Sequence, residues 1–258
     1  MILSAHNLSR YCSQVFWKDN KETKPEKGFK PCWFVKTDYL FTVFADLDPE
    51  DTSRFCLISG SSDITIDENY RSIAENPRVV KWLAPNATLR HPKVVPIGLG
   101  IENAGDPGSD EKQYLKRRWD PKTEEVYAAY TLDTNFQARE ECLRYTKKTI
   151  LPRRPFPQYV EELAAHRFCL CPRGNGLDTH RVWEALAVRT VPIVTRSPMA
   201  ELHWAAKYPI FMLDSWADYD PRDFTEELYE RLMRDWDPCN LEVERYVNTF
   251  TPALKVGT

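Results

Sequence analysis

Short apolar runs alternate with longer helical patterns along almost the whole chain, and that alternation confines it to layered α/β architectures with mostly parallel sheets. In the first half, Trp33–Lys36, Phe55–Ser59, Val79–Leu83 and Val94–Ile97 read as strands, with a helix expected over Asn69–Asn76. In the second half, strands are expected at Val126–Tyr130, Phe168–Cys171, Val191–Thr195 and Ile210–Leu213. Helices are expected over Phe136–Ile150, Pro157–His166, Thr179–Val188, Met199–Ala206, Phe224–Arg234 and Leu241–Phe250. A length of 258 residues suits two domains. Gly105, Pro107 and Gly108 lie among charged residues, a linker composition, so the seam is expected within residues 102–123. The division expected is 1–115 and 116–258, two Rossmann-like halves with a cleft between them.

Composition sets limits on partners. Net charge is −3 with the signs interspersed, so neither a nucleic-acid stripe nor a polybasic membrane patch is implied. No run of about 18 apolar residues marks a membrane span, and the N-terminus has no signal-peptide core, so a cytoplasmic protein is expected. The seven cysteines show no zinc spacing. They read as reduced, and Cys169 and Cys171 as buried thiols sharing one sheet face. No metal site is expected.

The strongest chemical signal is Phe168–Thr195, FCLCPRGNGLDTHRVWEALAVRTVPIVT, read as strand, polar turn, helix and strand. The turn Pro172–Asp178 stands at a strand's carboxyl end, where open parallel sheets bind ligands. Gly174 and Gly176 would permit unusual backbone angles there. Asp178 or Thr179 would cap the helix, whose free amides favour an anion. At 100° per residue His180, Arg181 and Glu184 share one helix face, with Val182 and Leu186 opposite. Arg173 projects from the turn toward the same region. Two arginines can hold a diphosphate bidentately, and a carboxylate one turn on can accept both ribose hydroxyls. Arg181 with Glu184 alone would be an ordinary surface pair. With Arg173 and the glycines, the set fits a nucleoside diphosphate sugar. Asn175 and Gly176 complete the turn. Thr134 and Asn135, after the first strand of the second half, are further candidates for phosphate or sugar contact.

FCLCPRGNGLDTHRVWEAL followed by VPIV resembles the signature of exostosin-like glycosyltransferases, in particular the short soluble versions carried by large algal viruses. FVKTDYLF, FCLISGSSD and HPKVVPIGLGIEN are similar to the first domain of that group, so the resemblance spans roughly residues 30–215. It implies a GT-B fold, a donor site in the second domain and inversion at the anomeric carbon. It also implies Arg173 and Arg181 on the diphosphate and Glu184 on the ribose. Xylose as the transferred sugar follows from the resemblance alone. The family often has glycine after the motif helix; here Val188, Arg189 and Thr190 follow, so the helix must end another way.

An inverting transfer needs a base on the acceptor hydroxyl and a means of stabilising the departing diphosphate. Asp63, after RFCLIS and Gly60-Ser61-Ser62, is the first candidate base, although Ser-Ser-Asp is also turn chemistry. Asp38, after FVKT, is second, and His6 third. Asp46-Leu47-Asp48 reads as a solvated acidic loop rather than a metal motif. Ile97–Asn103 could approach the sugar, line a hinge or form a simple crossover. The reading is transfer from a UDP-sugar to a hydroxyl of an oligosaccharide or glycoprotein, with no additional cofactor. The alternative is a nucleotide-sugar-binding protein without turnover. An oxidoreductase is disfavoured, since no G-x-G-x-x-G follows an early strand.

Overall fold

The structure is a computed structural model and describes residues 1–17, 29–102 and 111–249. Its strands are β1 (Cys12–Phe16), β2 (Phe29–Lys36), β3 (Phe55–Gly60), β4 (Val79–Ala84), β5 (Val94–Pro96), β6 (Glu124–Tyr127), β7 (His166–Leu170), β8 (Val191–Thr195) and β9 (Phe211–Leu213). Its α-helices are α1 (Ala5–Ser9), α2 (Leu40–Ala45), α3 (Arg71–Glu75), α4 (Glu111–Arg117), α5 (Phe136–Thr146), α6 (Phe156–Ala165), α7 (His180–Ala187), α8 (Pro198–Ala205), α9 (Glu226–Met233) and α10 (Val243–Val247). No described helix is long and apolar enough to cross a membrane.

The chain forms two compact units, one of Met1–Asn103 with Glu242–Thr258, the other of Ala104–Leu241. This differs from the expected division in two places. The expected seam at 115/116 falls inside α4, which belongs to the second unit. Tyr114 is fully buried edge-on to Phe156 at 5.6 Å, and Arg117 pairs with Glu161 at 2.9 Å. The C-terminal helix, assigned from sequence to the second half, returns to the first. Val243 N donates to Met1 O at 2.9 Å, Ile2 bridges Glu242 antiparallel, and Tyr11 OH donates to Glu244. Main-chain pairing of this kind satisfies obligatory donors but leaves no mark in the side-chain pattern. The linker glycines Gly105 and Gly108, with Pro107 and Asn103, lie outside the described residues.

The first unit holds a five-stranded parallel sheet in the order β1-β2-β3-β4-β5. All six residues of β3 are buried, as a strand covered on both faces requires, which is why FCLIS reads as a continuous apolar run. Trp82, Phe55, Ile73 and Leu40 fill the core on the α2–α3 side. Lys36 pairs with Gly60, so the residues after β2 and β3 leave the same carboxyl edge side by side. Asp46 and Asp48 follow α2 rather than a strand, and Asp48 Oδ1 accepts from Glu50 N at 2.9 Å. The turn 98–101 serves a close approach: Ile101 N donates to Leu3 O at 2.8 Å. Six cysteines are buried, as small apolar side chains would be, and Cys239 is exposed.

The second unit has a four-stranded parallel sheet in the order β6-β7-β8-β9. Both sheets agree with two Rossmann-like α/β domains. Their strand order is sequential, so among the described residues neither has the reversal that opens a crevice in a doubly wound sheet. Phe168 of β7 packs on Phe224 and Tyr229, at 5.2 and 6.2 Å between ring centroids. The end of α7 solves the missing-glycine problem directly. Arg189 adopts φ 60°, its N–H donates to Leu186 O at 3.2 Å, and Thr190 N donates to Ala185 O at 2.8 Å. This is the paired hydrogen-bond pattern of a Schellman cap, built on a residue that bears a left-handed strain of about 1 kcal/mol. The Arg189 guanidinium is held by Trp236 O at 2.7 Å and lies 4.9 Å from the Trp119 ring.

Lys122 ties two helix ends together. Its ammonium donates to Ala164 O at 2.6 Å, Val188 O at 2.7 Å and Thr190 Oγ1 at 3.0 Å, at the C-termini of α6 and α7. Burial, helped by nearby Arg189 and opposed by Asp120, lowers its pKa to about 7. The folded pKa lies below the unfolded one, so above pH 7 the unfolded chain holds a proton that the folded chain has lost. This group's contribution to stability therefore rises with pH up to about 10.4. The stability difference between the wild type and Lys122→Met, measured by urea unfolding, should grow by about 1 kcal/mol per unit between roughly pH 7 and pH 9. A difference independent of pH would show that the ammonium keeps its ordinary affinity for protons.

Candidate functional site

The loop from Cys171 to Thr179 joins β7 to α7 at the carboxyl edge of the second sheet. It is held in place by the neighbouring loop that follows β6. Asn135, left-handed at φ 51° and N-cap of α5, donates from Nδ2 to Gly174 O at 2.7 Å. Arg139, one turn into α5, donates from Nη1 to Thr131 O at 2.7 Å and from Nε to Arg173 O at 3.4 Å. A Cβ at Gly174 would stand 3.5 Å from Arg139 Nη2 and 3.6 Å from Thr134 Cγ2, ordinary van der Waals contact. Gly174 and Gly176 therefore act differently from the expectation. Neither has a positive φ, which among the described glycines belongs to Gly100. The Gly174 segment is shaped by the two loops packing together and by its carbonyl accepting from Asn135.

Asp178 anchors the far end of the loop. It is 5% exposed; Oδ1 accepts from Thr179 N and Oδ2 from Trp183 Nε1, both at 2.8 Å. His203 Nε2 lies 3.3 Å from the same Oδ2, without hydrogen-bond alignment. Thr179 is the N-cap of α7 by backbone position, but its side chain makes no capping bond. Asp178 supplies the acceptor for that turn. Asn175 is exposed and its carbonyl accepts from Arg173 Nη2 at 3.3 Å. His180 opens the helix.

Arg181 and Glu184 point into a shared buried environment with Tyr159 of α6. Glu184 is 7% exposed, and its Oε2 accepts from Tyr159 OH at 2.6 Å. The Arg181 guanidinium lies over the Tyr159 ring, 5.2 Å from its centroid. Its Nη1 is buried with no hydrogen-bond partner among the described residues. Residues 182–187 are all buried, so Arg181 and Glu184 are not a solvated surface pair and α7 has no open polar face. Burial works against the charge on Arg181, but Tyr159, Cys169 and Glu184 more than offset it, and its pKa is raised. Arg139 is affected in the opposite sense: burial, then repulsion from Arg181, lowers its pKa. Arg139 thus feels the charge of Arg181 and reaches the main chain of Arg173, while the Arg173 guanidinium folds back onto Gly174 O and Asn175 O.

A cleft of about 100 Å³ adjoins this loop, lined by Cys171, Arg173, Thr179, Ser197, Met199 and His203 among others. It is smaller than the roughly 300–1,000 Å³ that encloses a drug-sized ligand. Thr179 and Ser197 are the N-caps of α7 and α8, so two helix N-termini border it.

The structure gathers Thr134, Asn135, Arg173, Asn175, Gly176, His180, Arg181 and Glu184 on the β6–α5 and β7–α7 loops and the start of α7. Asp63 and Asp38 belong to the first unit, at the neighbouring carboxyl ends of β3 and β2, and both are exposed. Asp38 lies 3.5 Å from Lys36. The turn before Asp63 carries Ser61 at φ 54°, and Ser62 Oγ accepts from Ile64 N at 3.3 Å. His6 sits in α1 with its ring stacked 6.5 Å from Trp17. Arg139, Tyr159 and His203 carry no sequence signal, since each joins the site from a different stretch of chain, whereas Asp178 is expected there only as a cap. No protein-family model matches this chain, and no curated protein does.

Proposed function

We propose that this chain is an inverting glycosyltransferase of the GT-B type, moving a sugar from UDP to a glycan hydroxyl without a metal. The observation that carries the reading is the buried Nη1 of Arg181, without a hydrogen-bond partner among the described residues, with the charge of Arg139 nearby. A buried donor without an acceptor is costly, and clustered guanidinium groups repel one another. A diphosphate relieves both costs at once. Arg173 and Arg181 hold its oxygens, and Glu184, fixed by Tyr159, accepts from the ribose hydroxyls. Xylose is the sugar that the sequence resemblance favours.

In the reaction the acceptor oxygen attacks the anomeric carbon as the bond from that carbon to the diphosphate oxygen breaks. Asp63 takes the hydroxyl proton, with Asp38 as the second candidate. UDP leaves with its new negative charge neutralised by the arginines, the role that preorganised cations fill in transfer reactions. The GT-B type assigns the acceptor to the first Rossmann-like domain.

A thermal-shift screen of UDP-, GDP- and other nucleotide-sugars tests the donor class. The right donor, at about a hundred times its Kd, adds about 2.7 kcal/mol of apparent stability. Asp63→Asn tests the base. Transfer should fall by at least about 100-fold, the usual contribution of a general base, while UDP affinity stays unchanged. Near wild-type transfer by that variant would move the base elsewhere.

A further inference from the structure

Cys239 stands apart from the other cysteines. It is exposed, in the short turn Pro238–Leu241 just before Glu242, where the chain re-enters the first unit. Its sulfur lies 3.8 Å from Arg118 Nη1. Arg118 is only 6% exposed, and its Nε and Nη2 are buried with no hydrogen-bond partner among the described residues. A guanidinium stays charged at any accessible pH, and a buried cation without a counter-anion costs several kcal/mol. A thiolate on Cys239 supplies that anion. Asp237 faces the same turn and opposes a second negative charge, with its Oδ1 accepting from Cys239 N at 2.9 Å. Asp237 is exposed, however, so water screens it, whereas Arg118 acts from a buried position where the local dielectric is low.

We propose that Cys239 is a reactive thiolate paired with Arg118 and a modification site for low-molecular-weight disulfides. The Cys239 sulfur attacks one sulfur of the disulfide. A new S–S bond forms, the original one breaks, and the departing thiolate takes a proton from water. The proposal is independent of the donor-site reading.

Alkylation of the whole chain by iodoacetamide, followed residue by residue by mass spectrometry from roughly pH 6 to pH 10, tests it. The midpoint for Cys239 should lie about one unit or more below the ~8.5 of an ordinary thiol. Arg118→Met should return it to about 8.5. Glutathione disulfide near neutral pH should add a single glutathione to the wild type and none to Cys239→Ser. A wild-type midpoint at or above ~8.5 overturns the proposal, and that measurement needs no variant to fold. A low midpoint that survives in folded Arg118→Met also overturns it.

Discussion

Replacing Arg181 by alanine is expected to weaken UDP binding by about 100-fold or more. The guanidinium has one buried donor with no hydrogen-bond partner among the described residues, and the Tyr159 ring lies beneath it. A hydrogen bond to a charged group contributes roughly 1.5–3 kcal/mol, and a bidentate grip on a diphosphate makes two. Each 1.4 kcal/mol is about tenfold in affinity. The loss therefore exceeds what an exposed arginine of the same loop could cause. Removing Arg181 also takes a cation away from Arg139, so part of the loss of charge is felt as relief of repulsion. Stability should therefore fall less than affinity. Arg181→Lys is the informative control, because an ammonium keeps the charge but not the planar fork, and it should recover only a minor part of the affinity. Isothermal titration with UDP gives both numbers. A Kd for Arg181→Ala within threefold of the wild type would remove the donor-site assignment.

The sequence is legible where one strand or one loop carries the whole signal. The strand Val191–Thr195 matches its reading residue for residue, because a buried parallel strand must be apolar along its length. The Arg173–Glu184 segment is legible as turn and helix for a related reason, since both are local, but spacing does not show that Arg181 and Glu184 turn toward Tyr159. What the pattern could not show depends on contacts between distant stretches. β1 is a five-residue strand of mixed polarity, CSQVF, and only its pairing with β2 makes it a strand. Arg139 and Tyr159 sit on unremarkable helices and reach the site only because the loops pack together. Gly174 and Gly176 do not take a positive φ, because a pair of glycines in a polar turn marks the turn without saying which backbone angles it adopts. At Gly174 a Cβ would make only ordinary van der Waals contacts, whereas at Gly100 both conformation and the close approach of Leu3 require glycine. Arg189 shows the converse, a left-handed cap kept without glycine because its side chain has partners of its own.

Gly100→Ala is expected to cost about 4 kcal/mol or more, beyond the usual range for a point substitution. Gly100 adopts φ +80°, and a Cβ built on it would stand 2.2 Å from Leu3 O and 2.5 Å from Leu3 C. The left-handed conformation alone costs an alanine about 1–2 kcal/mol. The overlap costs more, because the obstructing atoms are backbone and no rotamer can move them. Relief requires the N-terminal segment to shift. That breaks the bond from Ile101 N to Leu3 O and disturbs the neighbouring register in which Met1 O accepts from Val243 N. Damage should therefore spread from the turn to α10, whose place in the first unit depends on that pairing. In hydrogen exchange the first unit should lose protection around residues 1–9, 97–102 and 242–249, while the amides of α7 and β8 in the second unit keep theirs. Loss of protection in both units alike would show that they unfold as one. A variant as stable as the wild type would mean that Leu3 does not press on Gly100 in solution.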